Sequence, residues 1–487
     1  MSNDVKKQAR RRRRKEKRRK RKRAMDAETI NARLEQLREL VYDGPTPHAW
    51  TRICEQLHAW PDDPSLDMAI DYADHHMADW PDTLKLGAGT AYSWLLSVLD
   101  GRREPRARLI RVARLRPEHA TPERMGVLLS KPFTDQLVGL DLNSPRAAHH
   151  VLHHLGQRDN SHLKVLRLGG CHLRQDALEL LRQGNFSRLE VLDLSYNLLN
   201  TRACTVLARE LHLPRLHTLN LAGNSHIAGS TQKHLKELAS APFWPQLIDL
   251  DLSSRSTDIA QIKELLETRP NPLKRLAINW VSLASRRQQM LLSALLEGYD
   301  TLERLELGGC LLGHHGVRAV AAMDLPNLRD LDLACNTIQH GTLYDLIATL
   351  PRTMPRLEHL ALNDNPLLPE LAHAMAKRLN FTPRLTIATK TVSEQTLAKE
   401  IHDTRLVGLG LHVHALALLH LWSTWPHAIT HEHIAHLVEW LLNPPQDADP
   451  PRLSPDIAER LDKMLERTLF CLGVPELRRT IREQGIR

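Results

Sequence analysis

Cysteine is sparse in this chain. Six occur among 487 residues, at 54, 171, 204, 310, 335 and 471, with no Cys-x-x-Cys spacing and no regular pairing. That argues against a disulfide framework and for a reducing compartment. Long apolar runs are missing too. The most apolar segment, 406–422, is broken by His412, His414 and His420 and is too short to span a bilayer. The start runs into DAETINARLEQL, so no secretory leader is visible. No GxxxxGK[ST], GxSxG or GxGxxG occurs, which removes the commonest phosphate-binding, acyl-transfer and dinucleotide readings. HEHIAH at 431–436 fails the HExxH spacing, because Ala435 stands four after His431. His149, His150, His153 and His154 form two i, i+4 pairs without an evident third ligand, and read as surface or capping histidines. The expectation is a soluble, cytoplasmic protein with no cofactor, no metal and no catalytic activity.

Acids are nearly absent from the first 25 residues, which hold only Asp4 and Glu16 against 15 Lys/Arg. The segment carries +13 while the whole chain is +9, so the rest is mildly acidic at −4. Its core is Arg10, Arg11, Arg12, Arg13, Arg14, Lys15, Lys17, Arg18, Arg19, Lys20, Arg21, Lys22 and Arg23. Like charges one turn apart repel, so a disordered tail is expected. These cations would release counterions from phosphates and give a steep salt dependence. No aromatics interleave them, so stacking on single-stranded bases is not supported. RNA or DNA, a nuclear or nucleoid address, another anionic surface and simple solubilisation all remain open.

What the chain has in abundance is leucine in phase. The pattern L-x-x-L-x-L starts at Leu137, Leu163, Leu189, Leu216, Leu247, Leu273, Leu302, Leu328 and Leu357, in steps of 26 to 31 residues. In LEVLDLSYNLL, from Leu189, alternation across a strand puts Leu192 and Leu194 on one side and Val191 and Asp193 on the other. Such leucines make a core only when stacked on the next unit's pair. Three residues past the last strand leucine stand Cys171, Asn197, Asn224, Cys310, Asn336 and Asn365, with Arg255 and Val281 as departures. An amide or thiol there can satisfy backbone groups where the chain leaves the strand. The remainder of each unit reads as helix: Ala203, Val206, Leu207 and Leu211, then Ile262, Leu265 and Leu266, then Val317, Val320 and Ala321.

The pattern over roughly 133–390 resembles the ribonuclease-inhibitor-like class of leucine-rich repeat proteins. The resemblance implies an α/β horseshoe of nine repeats, strands inside and helices outside. It implies protein recognition, and no catalytic residues. Helical regions are expected on either side. In 26–132, Leu34, Leu37 and Val41, then Trp50, Ile53, Cys54 and Leu57, then Met68, Ile70, Tyr72 and Ala73, then Trp94, Leu95, Val98 and Leu99 suggest four helices, punctuated by Trp60-Pro61 and Trp80-Pro81. This region is placed to cover the first repeat. In 391–487, Ser454-Pro455 opens a helix with Ile457, Leu461, Leu465 and Leu469 on one face.

On the strand face, the position between the last two leucines reads Asp141, Arg167, Asp193, Asn220, Asp251, Ala277, Glu306, Asp332 and Ala361, with Asp249 and Asp330 on the next column. Carboxylates one strand apart, about 4.8 Å, would favour a cationic protein partner. The same acids can equally keep a surface soluble, and Lys164, Lys274, Arg275, Arg304 and Arg329 flank them. Tyr196 and Trp280 lie just past the strand leucines as candidate anchors. Two functions follow: a protein-binding scaffold with a polyanion-binding tail, or a nucleic-acid-associated protein bound mainly through that tail.

Overall fold

A three-residue strand buries its leucines only against a neighbour, and here each repeat is the neighbour of the next. In this computed structural model the described residues are 27–130, 132–224, 233–267 and 272–388, with six isolated positions between 397 and 424. Residues 1–25 and nearly all of 391–487, with the readings placed on them, lie outside the described residues. The chain divides into two compact units, Met1–Asp251 with Thr268–Asn271, and Leu252–Glu267 with Pro272–Arg487.

The first unit opens with helices α1 (Ala27–Tyr42), α2 (Pro47–His58), α3 (Pro64–His76) and α4 (Thr90–Leu99). Local chemistry sets their starts. Thr46 and Asp63 accept hydrogen bonds from Ala49 N and Ser65 N, and a proline follows each cap. The α3 face differs from the one expected. Leu66, Ala69, Ile70 and Ala73 are buried, while Met68 is 51% exposed. Residues two apart do not share a helix face, so Met68 and Ile70 could not both point inward. Arg106, buried, donates to Leu57 O and Trp60 O at 2.8 Å each, tying off the end of α2.

Six parallel strands follow in chain order: β1 (Val112–Leu115), β2 (Gly139–Leu142), β3 (Val165–Arg167), β4 (Val191–Asp193), β5 (Thr218–Asn220) and β6 (Asp249–Asp251). Leu166, Leu192 and Leu219 face one another in register and are at most 1% exposed. Each such side chain contributes about 1.5–3 kcal/mol of burial. Strand β1 lies in the span read as helical. It pairs Ala113 with Leu140 and Leu115 with Leu142, so the sheet starts one unit before the first full leucine pattern. Alanine at 113 hides that unit from a leucine count. The outer edge of β1 is met by Lys85–Gly87: Lys85 O accepts from Arg111 N, and Gly87 N donates to Val112 O at 2.8 Å.

The second unit carries β7 (Arg275–Ala277), β8 (Arg304–Glu306), β9 (Asp330–Asp332), β10 (His359–Ala361) and β11 (Arg384–Thr386), parallel and in chain order. Strand β11 is again an extra unit, with Thr382 where the first leucine would stand. The connecting helices include Ile259–Leu266, Arg286–Leu296, Gly313–Ala321 and His340–Thr353. Ser285 and Gln288 form a capping box at the second of these. In the first unit the segment after Asn197 is less regular. An α-helical turn, Thr201–Thr205, passes into a π-helical one, Val206–Glu210. Among the described residues no helix is long and apolar enough to cross a membrane. The fold class is α/β, with parallel strands joined by helices.

Candidate functional site: strand face and turn rim

The turn after each strand is built first by the asparagines. Asn197 Nδ2 donates to Leu168 O and Leu194 O at 2.8 and 2.9 Å, and its Oδ1 accepts from Leu173 N at 2.9 Å. Asn224 repeats this on Leu194 O, Leu221 O and Leu199 N. Asn336 and Asn365 do so in the second unit. Cys171 and Cys310 fill the same position with a weaker donor, each thiol reaching a carbonyl at 3.2 Å. Burial pushes these thiols up, Cys171 to about 11 and Cys310 to about 12, so they stay protonated donors. Leucine strands stacked in register, with four turns locked by a buried asparagine and two by a buried cysteine, decide the matter. This chain has a leucine-rich repeat fold.

No family model matches the chain, and no curated protein does. Among solved structures it resembles the leucine-rich repeat-containing protein LegL7 of Legionella pneumophila. The two are 19% identical over 52% of this chain and 80% of that one, with a TM-score of 0.35. A chain of the yeast Rad7 and Elc1 complex is 15% identical over 66% of this chain and 97% of its own, at 0.30. Identities this low concern the fold alone.

The strand columns of this leucine-rich repeat fold line up as the spacing requires. In the first unit Arg114, Asp141, Arg167, Asp193, Asn220 and Asp251 are successive partners. In the second, Ala277, Glu306, Asp332, Ala361 and Thr386 are. Asp249 follows Thr218 on a neighbouring column in the first unit; Asp330 sits between Arg304 and His359 in the second.

These acids do not form one exposed stripe. Asp251 and Glu306 are buried, at 8% exposure. Asp141 accepts from Arg114 Nε at 2.8 Å. Glu306 accepts from Arg275, Arg304 and Asn279 at 2.9, 2.8 and 3.1 Å. Burial works to raise its carboxyl, but the two guanidiniums and the amide win and hold it below the usual range. Asp330 lies 3.4 Å from His359 Nδ1. Asp193 and Asp332 each accept the backbone N–H two residues on, at 2.9 and 2.8 Å, and Asn220 makes the same bond to Ala222. Asn does this work as well as Asp, so the position is first a turn-forming one. Burial, then the Glu306 charge, pushes the Asp332 carboxyl above its ordinary value.

Tyr196 and Trp280 sit differently. They occupy the second residue past the strand leucine, as do Gly170, Gly223, Gly309, Cys335 and Asp364, all with φ between +52° and +70°. At Tyr196 and Trp280 the turn is held by the N–H of this residue reaching the next repeat: Tyr196 N to Ala222 O, Trp280 N to Gly308 O. Glycine is the unstrained choice, and a large side chain there costs about 1 kcal/mol. Yet Tyr196 is 69% exposed and Trp280 43%. Each ring lies over the glycine of the following turn. A Cβ at Gly223 would come within 2.6 Å of the Tyr196 ring, and one at Gly309 would collide with the Trp280 ring. Arg255 stacks 4.9 Å from the Trp280 ring centroid. The glycine shelves were not read from the sequence. The signal available was a glycine at the rim position one repeat after an aromatic.

Among the described residues, no group of three or more His, Cys, Asp or Glu is placed to hold a metal ion. His149 lies 3.9 Å from Asp176, and the His150 and His154 rings pack at 4.6 Å. The basic positions Arg10 to Arg23 and the histidines of 431–436 lie outside the described residues.

Proposed function

We propose that this chain is a non-catalytic, intracellular scaffold that binds a partner protein across the strand face and turn rim of its repeats. Tyr196 is the anchor in the first unit and Trp280 the anchor in the second. One observation carries this reading: two exposed aromatics occupy a strained left-handed position that the following repeat gives to glycine, and each ring lies on that next glycine. Backbone strain without burial is a cost to stability that binding can repay. A ring already immobilised loses little entropy on docking. The acids and Arg167 around them supply orientation more than net field, because most already hold a partner. The basic segment 10–23 adds a polyanion contact in this proposal.

The test replaces Tyr196 and Trp280 by alanine, singly and together, and compares co-purified proteins with those of the wild type. The double variant is expected to lose a defined partner at unchanged Tm. An unchanged partner set at unchanged Tm overturns the reading. The second function, nucleic-acid association, rests on the +13 segment. A chain starting at Ala24 should then lose affinity for RNA or DNA and most of its salt slope. If neither changes, that alternative fails.

A further inference from the structure

In the second unit, helices Arg286–Leu296 and Gly313–Ala321 belong to consecutive repeats and run in the same direction. An open groove of about 1360 Å³ is lined by both. Its apolar lining includes Met290 and Leu311, at 65% and 57% the most exposed large apolar side chains of this unit among the described residues. Leu311 also holds a φ of +57°, a conformation leucine rarely adopts.

The charges along the groove run against the helix dipoles. Glu297, Asp300 and Asp324 line it next to the two helix C-termini, where cations are favoured. Arg286, His314 and His315 line it next to the N-termini, where anions are favoured. A third helix laid antiparallel would correct both ends. Its own N-terminus, carrying lysine or arginine, would meet the carboxylates and the negative dipole ends. Its C-terminus, carrying glutamate or aspartate, would meet Arg286 and the histidines. Apolar residues at i, i+3, i+4 and i+7 would cover Met290 and Leu311.

We infer that this groove docks an amphipathic helix of a partner protein, antiparallel to its walls, with a basic first turn and an acidic last turn. Such a segment opposes its own dipole, so it is a weak helix alone and gains structure on docking. The site uses other residues than the strand face and rim, and stands or falls without them.

The test uses the full chain and two fluorescein-labelled peptides of about fourteen residues, long enough to span the groove. Both carry leucines at i, i+3, i+4 and i+7. One has lysines in the first turn and glutamates in the last; the other has them exchanged. By fluorescence polarisation the first peptide should saturate, and the second should bind about tenfold more weakly or worse. Met290→Asp should lower affinity for the first peptide by about tenfold or more. Trp280→Ala should leave it unchanged, which separates this site from the rim. Leu311→Asn, suited to positive φ, is the second groove variant should Met290→Asp disturb the Tm. No saturable binding, equal affinity for both peptides, or indifference to the groove variants would overturn the proposal.

Discussion

In the first unit the column after the opening strand leucine's neighbour reads Val112, Gly139, Val165, Val191, Thr218 and Asp249. In the second unit the same column reads Arg275, Arg304, Asp330, His359 and Arg384. The first is mostly small and apolar; the second is polar throughout, with four charged residues and a histidine, and is tied to its neighbours. Arg275 and Arg304 both pair with Glu306, at 2.9 and 2.8 Å, and Asp330 lies 3.4 Å from His359 Nδ1. The two units nonetheless share the leucine stack and the turn asparagine. Positions that face the core are fixed by burial, whereas face positions are free to differ. The same turn-forming acid therefore has different surroundings in the two units: Asp193 stands near valines, whereas Asp332 stands beside Glu306 and its guanidinium partners.

The shared part should show the largest effect. Asn365→Ala removes bonds to Leu333 O, Leu362 O, Asn336 N and Ile338 N, all buried. The loss should be on the order of 3–5 kcal/mol. Cys310→Ala gives up one weak thiol donation to Ile278 O, about 1 kcal/mol. Urea midpoints measure both. Equal losses would mean that the amide is not what locks the turn.

Next comes the rim, probed by a matched pair. Gly170 and Gly309 both hold φ +68°. Alanine at either forfeits about 1 kcal/mol to backbone strain. At Gly170 the new Cβ meets only the Asn143 amide, 3.1 Å away, which can swing aside. At Gly309 it must displace the Trp280 ring. Gly309→Ala should thus be destabilising by about 2 kcal/mol, roughly twice Gly170→Ala. It should also change the Trp280 emission obtained by subtracting a Trp280→Phe spectrum. Equal effects would show that the ring is not seated on its glycine.

Glu306→Gln tests the charged face alone. It strips the shared carboxylate from Arg275 and Arg304 and should cost about 1–3 kcal/mol at neutral pH. The folded carboxyl is held below its ordinary 4.5. Its stabilisation is therefore full above that value and fades as pH falls through the lowered folded one. The gap between wild type and variant should close over that acidic window. A gap independent of pH would mean that shape, not charge, holds the site.

Much of this was legible in the sequence. The nine leucine patterns each gave a strand, because a period of 26 to 31 residues fixes the register of every buried leucine. The asparagine and cysteine positions were readable for the same reason. Strands β1 and β11 were missed because Ala113 and Thr382 replace leucine, and neighbouring strands supply the burial that the pattern lacks. Column membership of Asp193, Asp251 and Asp332 was readable; their burial and partners were not. Those depend on which side chains arrive from repeats 26 to 31 residues away, and single-sequence spacing carries no such distance. The seats of Tyr196 and Trp280 depend likewise on a glycine one turn further on.

The smallest effect separates the two faces most finely. Asp193 and Asp332 stand at the same repeat position and make the same bond, to Ser195 N and Ala334 N. Asn220 makes it too, so Asn at either place keeps the turn. Asp332, however, is pushed above its ordinary 3.8 by burial and by Glu306. Its ionised form is disfavoured in the folded state, so above the raised value it detracts from stability. Below 3.8 both states are protonated and the penalty vanishes. Asp332→Asn should then stabilise the protein at pH 7 by no more than about 1 kcal/mol, with the gain shrinking on acidification. Asp193→Asn, near valines, should change stability at pH 7 by no more than about 0.5 kcal/mol. A gain of equal size at Asp193 would place the strain in the strand position itself, and the contrast between the two faces would lose its physical basis.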